Sequence, residues 1–184
     1  IRDTAKEIEC AELGSKYKAL SAEASTAFGL SPRFVAHDEL GQAKGPTDQL
    51  YDALETATAA QENPLTVIIS TQAPTDADLL SVLIDDATTG ADPTQKVWLY
   101  TAPLDADPFS ERAIKAANPA FGDFLNADEV LAMAEDARNQ PSRQPEFENL
   151  VLNRRVDMSA PFVAQSVWKQ CGGEVVNVRP VFCV

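Results

Sequence analysis

Three short runs fix what this chain can fold into: Phe34-Val35-Ala36-His37, Leu65-Thr66-Val67-Ile68-Ile69 and Lys96-Val97-Trp98-Leu99-Tyr100. Each has the length and residue types of a strand, and the stretches between them carry helical spacing. Residues 46–61 place Leu50, Ala53, Leu54 and Ala57 on one helical face, with Pro46 where a first turn tolerates it. After Pro64 and the second run, Thr75 reads as an N-cap. Asp76 and Asp78 suit the positive end of a helix dipole, and Leu79, Leu80, Leu83 and Ile84 form the apolar face behind them. Strand, helix, strand, helix, strand from 33 to 101 implies right-handed crossovers and a parallel sheet. The first run is apolar enough to predict a central strand with neither face in water.

Around this unit the signals are weaker. Residues 7–11 and 17–21 flank Leu13-Gly14-Ser15 and predict a hairpin or two neighbouring strands. Beyond Pro103 the chain breaks into short helices. Ser110 caps one, Asn118-Pro119 starts a turn with Phe121 as an aromatic plug, and Asn126 with Glu129 opens a helix over 127–138. Pro141 to Pro145 reads as a break, Phe147, Leu150 and Val151 as an apolar stripe, and a last helix runs from Ser159-Ala160-Pro161 to Gly172-Gly173. The expectation is an α/β fold with a helical subdomain appended over about 104–173. Trp98 and Trp168 are expected in the core.

Charge and cysteine count narrow the function classes. A net charge of −13 weighs against a broad nucleic-acid face on this segment. The one dense basic spot, Arg154-Arg155, reads as a solvated helix end or a cation at a helix's negative terminus. Cys10, Cys171 and Cys183 are too scattered for a disulfide framework or a zinc site, and the single histidine, His37, rules out a His-rich metal site. His37 reads as a satisfied structural residue at a strand end. No apolar run has the length of a membrane span. Ile1 at one end and the apolar run Val181-Phe182-Cys183-Val184 at the other read as a segment of a longer protein.

Two polar clusters follow the first two strands. Asp38-Glu39 closes the first, and Ser70-Thr71-Gln72 closes the second one crossover later. In a parallel α/β sheet, ligands sit beyond the carboxyl ends of the strands. There the first acid can hold Mg²⁺ and the second can polarise a water attacking a γ-phosphate. The Thr hydroxyl and Gln amide can then sense the same phosphate or water. Taken one at a time, an acidic turn and a polar loop before a capped helix explain each cluster as well.

With their flanks, the clusters resemble the large terminase subunit of tailed bacteriophages. The resemblance rests on Gly14 to Glu23, Phe28-Gly29-Leu30-Ser31-Pro32, His37-Asp38-Glu39-Leu40, Asn118-Pro119 with Gly122, and Phe147 to Asn153. It implies a partial P-loop NTPase-like core of the additional-strand type over 1–103, and a lid or linker subdomain over 104–173. Residues 174–184 would lead as a strand toward a separate RNase H-like nuclease domain. It further implies that Asp38 is the Mg²⁺-side Walker B acid, Glu39 the catalytic carboxylate, and Ser70, Thr71 and Gln72 the motif coupling hydrolysis to DNA movement. ATP and Mg²⁺ are the implied cofactors, and double-stranded DNA, the small terminase subunit and the portal protein the implied partners. The implied setting is the host bacterial cytoplasm.

One departure limits the resemblance. No Gly-x-x-x-x-Gly-Lys-Ser/Thr phosphate loop occurs in the chain, and Gly14-Ser15-Lys16 and Gly45-Pro46-Thr47 lack its spacing. That loop is expected upstream of residue 1, and the chain by itself is expected to bind ATP poorly. A sheet lacking the upstream strands would offer an open edge that a second copy could pair with. The competing reading is a non-catalytic α/β interaction or scaffold module derived from an NTPase-like fold.

Overall fold

The computed structural model describes residues 2–4, 6–21, 23 and 27–156. The chain opens with β1 (Arg2–Thr4), β2 (Glu7–Cys10) and β3 (Ser15–Lys18), an antiparallel three-stranded sheet in the order β1-β2-β3. The β2–β3 hairpin is the one expected around Gly14, which takes a left-handed φ of 60° at the turn.

The α/β unit follows. β4 (Phe34–Asp38) and β5 (Leu65–Ile69) pair in parallel, in a register that sets Phe34 against Leu65 and Asp38 against Ile69. A single turn of 3-10 helix (Leu40–Gln42) and α1 (Gln49–Thr58) connect them, and α2 (Leu79–Thr89) follows β5. Asp48, not Pro46, starts α1, accepting a hydrogen bond from the Tyr51 amide. Asp78, not Thr75, occupies the N-cap position of α2. Thr75 instead donates its hydroxyl to the Asp78 carboxylate at 2.7 Å.

Both helices lie on one face of the strand pair. Val35 packs with Leu54 and Ala27, and Ile68 joins Leu40, Ala73, Leu79 and Leu80. The opposite face stays open, with Phe34 50%, Leu65 57% and Ile69 65% exposed. β4 is therefore not shielded on both sides as its composition implies. Apolarity shows that a face can be buried, but burial needs a layer to cover it.

The third predicted strand, 96–100, does not form. That run is irregular, and Trp98 is 77% exposed rather than in the core. β-propensity makes no ladder without a neighbour. The chain near this run bonds instead to Leu152 and Asn153. The Ala102 amide donates to the Leu152 carbonyl at 3.0 Å, and Asn153 Nδ2 to the Tyr100 carbonyl at 2.7 Å.

The remaining helices among the described residues are α3 (Glu111–Ala117), α4 (Ala127–Asn139) and α5 (Gln144–Leu150). Ser110 caps α3 through the Ala113 amide, and Asn126 caps α4 through the Asp128 amide. The chain does break here, at Gln140, whose extended backbone ends α4, but Pro141–Pro145 is itself helical: a 3-10 turn (Pro141–Arg143) runs directly into α5, whose Pro145 sits in its first turn. The three helices share a core in which Ile114 and Leu152 are wholly buried, with Val130, Ala134 and Phe147 around them. Burying side chains of that size contributes about 1.5–3 kcal/mol each. The helix expected from Ser159 to Gly173, with Trp168, Cys171 and Cys183, lies outside the described residues.

Candidate functional site

β4 ends in Asp38, and the chain turns sharply there. Glu39 adopts the left-handed conformation, φ 58° and ψ 33°, which a residue with a Cβ occupies only at a cost. Its amide stays on the ladder, donating to the Ile69 carbonyl at 2.9 Å. The turn buries Leu40 and sets the next amide, that of Gly41, on Ser70 Oγ at 2.8 Å. Ser70 Oγ in turn donates to the Thr71 carbonyl at 2.7 Å.

Gly41 allows this approach because it has no side chain. A Cβ there would stand 2.2 Å from the Thr71 carbonyl oxygen and 2.8 Å from Ser70 Oγ. The parallel register thus brings Asp38, Glu39, Ser70 and Thr71 to one end of the strand pair, and the two turns are hydrogen-bonded to each other. Asp38 and Glu39 are exposed, and Ser70 and Thr71 are half-buried.

Gln72 is placed differently. It is buried, and its polar groups are engaged by α5 and the segment after it. Its amide donates to Asn153 Oδ1 at 2.6 Å, its carboxamide nitrogen to the Asn153 carbonyl, and its carbonyl accepts from Asn149 Nδ2 at 2.9 Å. Its carboxamide oxygen accepts from Arg155 Nε at 3.1 Å. Gln72 therefore faces the helical subdomain.

The Arg154-Arg155 pair is not a solvated helix end. Arg154 is buried, donating to Glu148 Oε2 at 3.1 Å and to the carbonyls of Ala102, Pro103 and Ala106. Arg155 reaches α2 and forks onto the Asp85 carboxylate at 2.6 and 2.9 Å. That hydrogen bonding holds the Asp85 carboxyl below its ordinary range and raises the Arg155 guanidinium. An isolated Arg-Arg dipeptide signals only positive charge. Partners 70 and 83 positions away in sequence decide the role of Arg155.

The face behind the site is fastened at a second point. The buried Asp78 carboxylate accepts from the Gly45 amide at 2.8 Å and from the Thr75 amide and hydroxyl. The Gly45 amide, then the Thr75 hydroxyl, hold its carboxyl below the usual range against the opposing effect of burial. His37 is buried against Tyr51, ring centroids 5.1 Å apart, and its Nε2 has no hydrogen-bond partner. It is structural in position, yet not satisfied as its strand-end place predicts. Burial pushes the imidazole down, against the pull of Glu55 and Asp48.

The residues fit one side of a nucleotide–Mg²⁺ site. Among the described residues no group of three or more His, Cys, Asp or Glu could hold a metal ion. Mg²⁺ at a nucleotide, however, takes one or two carboxylates and completes its shell with phosphate oxygens and water. The exposed pair Asp38-Glu39 matches that donor set. The phosphate cradle itself has no counterpart in the sequence. Among the described residues no helix is long and apolar enough to cross a membrane.

Comparison with known proteins bears on the same region. Residues 1–86 match the family described as terminase large subunit, ATPase domain. The chain is similar to the terminase large subunit of Enterobacteria phage HK97, 48% identical over 162 residues that make up 88% of this chain and 32% of that protein. It superposes on the crystal structure of the HK97 bacteriophage large terminase with a TM-score of 0.75 at 47% identity, covering 90% of this chain and 35% of that one. The chain thus spans about a third of the length of the relatives it matches.

Proposed function

Because the chain belongs to the terminase large-subunit family, we propose that it forms part of a phage DNA-packaging motor in which ATP hydrolysis drives double-stranded DNA into a procapsid. In this reading residues 1–103 belong to the ATPase core and 104–173 to the lid or linker subdomain. A separate nuclease domain cuts the concatemer, the small terminase subunit and the portal protein are the partners, and the host cytoplasm is the setting.

One observation carries the reading: the Asp38-Glu39 and Ser70-Thr71 turns leave the same end of a parallel strand pair and are bonded to each other through Gly41 and Ser70. Ligands bind at that end of such sheets. Asp38 would hold Mg²⁺, which when bound neutralises charge on the phosphates. Glu39 would orient the attacking water and accept a hydrogen bond from it, from a left-handed turn whose amide stays on the ladder. Ser70 and Thr71 sit behind the acidic turn, so a shift in that turn bears on them directly. The phosphate cradle would come from outside this chain.

The test is nucleotide hydrolysis by the intact protein carrying this chain. Glu39→Gln should lower kcat by about 10²–10⁴-fold and leave nucleotide binding in place. Asp38→Asn should raise the Mg²⁺ concentration needed for half-maximal rate. A scaffold module would hydrolyse nothing in either form. Glu39-dependent hydrolysis by residues 1–184 alone would contradict the need for an outside phosphate loop.

A further inference from the structure

Between the acidic turn and the helical subdomain lies one side chain whose hydrogen-bonding capacity is fully used. A guanidinium has five N–H donors in a rigid fork. Arg155 places all of them: Nε on Gln72 Oε1, Nη1 on Asp76 and Asp85, and Nη2 on the Ser81 carbonyl and Asp85. A side chain so saturated has one geometry available to it. It joins three parts of the molecule: the polar turn after β5, helix α2, and the segment that leaves α5. The same segment holds Gln72 from its other side through Asn153, and α5 holds the Gln72 carbonyl through Asn149.

We infer that Arg155 is a positioning residue for Gln72, and that residues 153–155 are the strap through which the helical subdomain follows the turn after β5. This rests on the reading of Ser70-Thr71-Gln72 as the segment that couples hydrolysis to movement. The physical chain is short. A change at Glu39 or Gly41 acts on Ser70 through the Gly41 amide. Gln72, two residues on, is gripped by the strap and cannot move without moving Asn153 and Arg155 or breaking their bonds. Asp85 anchors the far end of the strap on α2. The distal group therefore needs the fork and not only the charge. A lysine at 155 keeps a cation near Asp85, but it cannot reach Gln72 and Asp85 together with separate fixed donors.

Arg155→Lys separates this role from simple stabilisation, and the intact protein is the sample. The first readout is amide hydrogen exchange. The expected result is exchange about tenfold faster at Gln72 and across 153–155, with the 127–139 helix unchanged. An unchanged strap, or uniform acceleration throughout, overturns the assignment. The second readout is the DNA length moved per nucleotide hydrolysed. The expected result is a fall of about tenfold in that ratio, with hydrolysis itself held within about twofold. A proportional loss of both activities, or an unchanged ratio, overturns it. Combining Arg155→Lys with Gln72→Ala should cost no more coupling than the worse single variant, and additive losses would count against a shared path. If the unsubstituted protein hydrolyses no nucleotide, the motor reading falls, and the exchange result alone decides whether Arg155 holds Gln72.

Discussion

The Gly41 amide and Ser70 Oγ, 2.8 Å apart, join the turn after β4 to the turn after β5. The bond spans 29 positions and forms only because residue 41 presents bare backbone. Gly41→Ala would drive a methyl into the Thr71 carbonyl at 2.2 Å, where the obstacle is backbone. Overpacking of this kind costs about 1–3 kcal/mol. Urea unfolding should register that loss, and hydrolysis by the intact protein should fall with it. An alanine variant of unchanged stability would show that the two turns are not held in contact.

Glu39 offers a contrast. Its left-handed backbone is uncomfortable for any residue with a Cβ, so Glu39→Gly should stabilise the fold by about 1 kcal/mol while removing the carboxylate. Glu39→Ala keeps the strain and should bring no such gain. Thermal melts of the two variants side by side decide the matter. Equal midpoints would mean that the turn stores no strain.

In the helical part, Arg154 and Glu148 form a buried ion pair with side chains 5% and 17% exposed. Glu148→Ala leaves the guanidinium in place without its counter-charge. Removing one partner of such a pair costs about 3–5 kcal/mol. The double variant Arg154→Met with Glu148→Leu should cost less than the sum of the single changes, because no charge is then stranded. Strict additivity in denaturant titrations would place the pair in water.

Acid should weaken the fold in two stages. The His37 imidazole is pushed down by burial, so the unfolded chain takes up a proton first. The stability contributed by neutral His37 is present above the unfolded value of about 6.5 and is lost as pH falls toward the folded one. Asp78 and Asp85 have depressed folded values, so their contributions hold above about pH 3.9 and are lost below it. His37→Phe should flatten the first stage and Asp78→Asn the second, read as unfolding midpoints against pH. An unaltered upper stage in His37→Phe would assign that stage to another group.

How much was legible follows the range of the signal. The β2–β3 turn, the strand at 65–69, the apolar faces of α1 and α2 and the caps at Ser110 and Asn126 are written in residues close together in sequence, and they form as read. The run at 96–100 has the residue types of a strand, but a ladder needs a neighbour that its own residues cannot supply. Trp98 and Phe34 fail as core residues for the same reason: hydrophobicity does not say which faces are covered. Arg155 stands out in the sequence only as charge, and neither it nor Asn153 carries a local mark of its partners, which lie around Gln72, Asp85 and Tyr100.

The sequence by itself determined the strand–helix–strand–helix order over 34–89, the short helices after it, the family likeness and the positions of the two polar clusters, because all of these are periodicities or motifs of adjacent residues. Only the tertiary structure decided that the Asp38-Glu39 turn is bonded to Ser70, that Gln72 turns toward the helical subdomain, and that Arg155 ties it to α2. Those outcomes depend on strand register and on hydrogen bonds between distant segments. Such bonds exist only once the chain has folded back on itself.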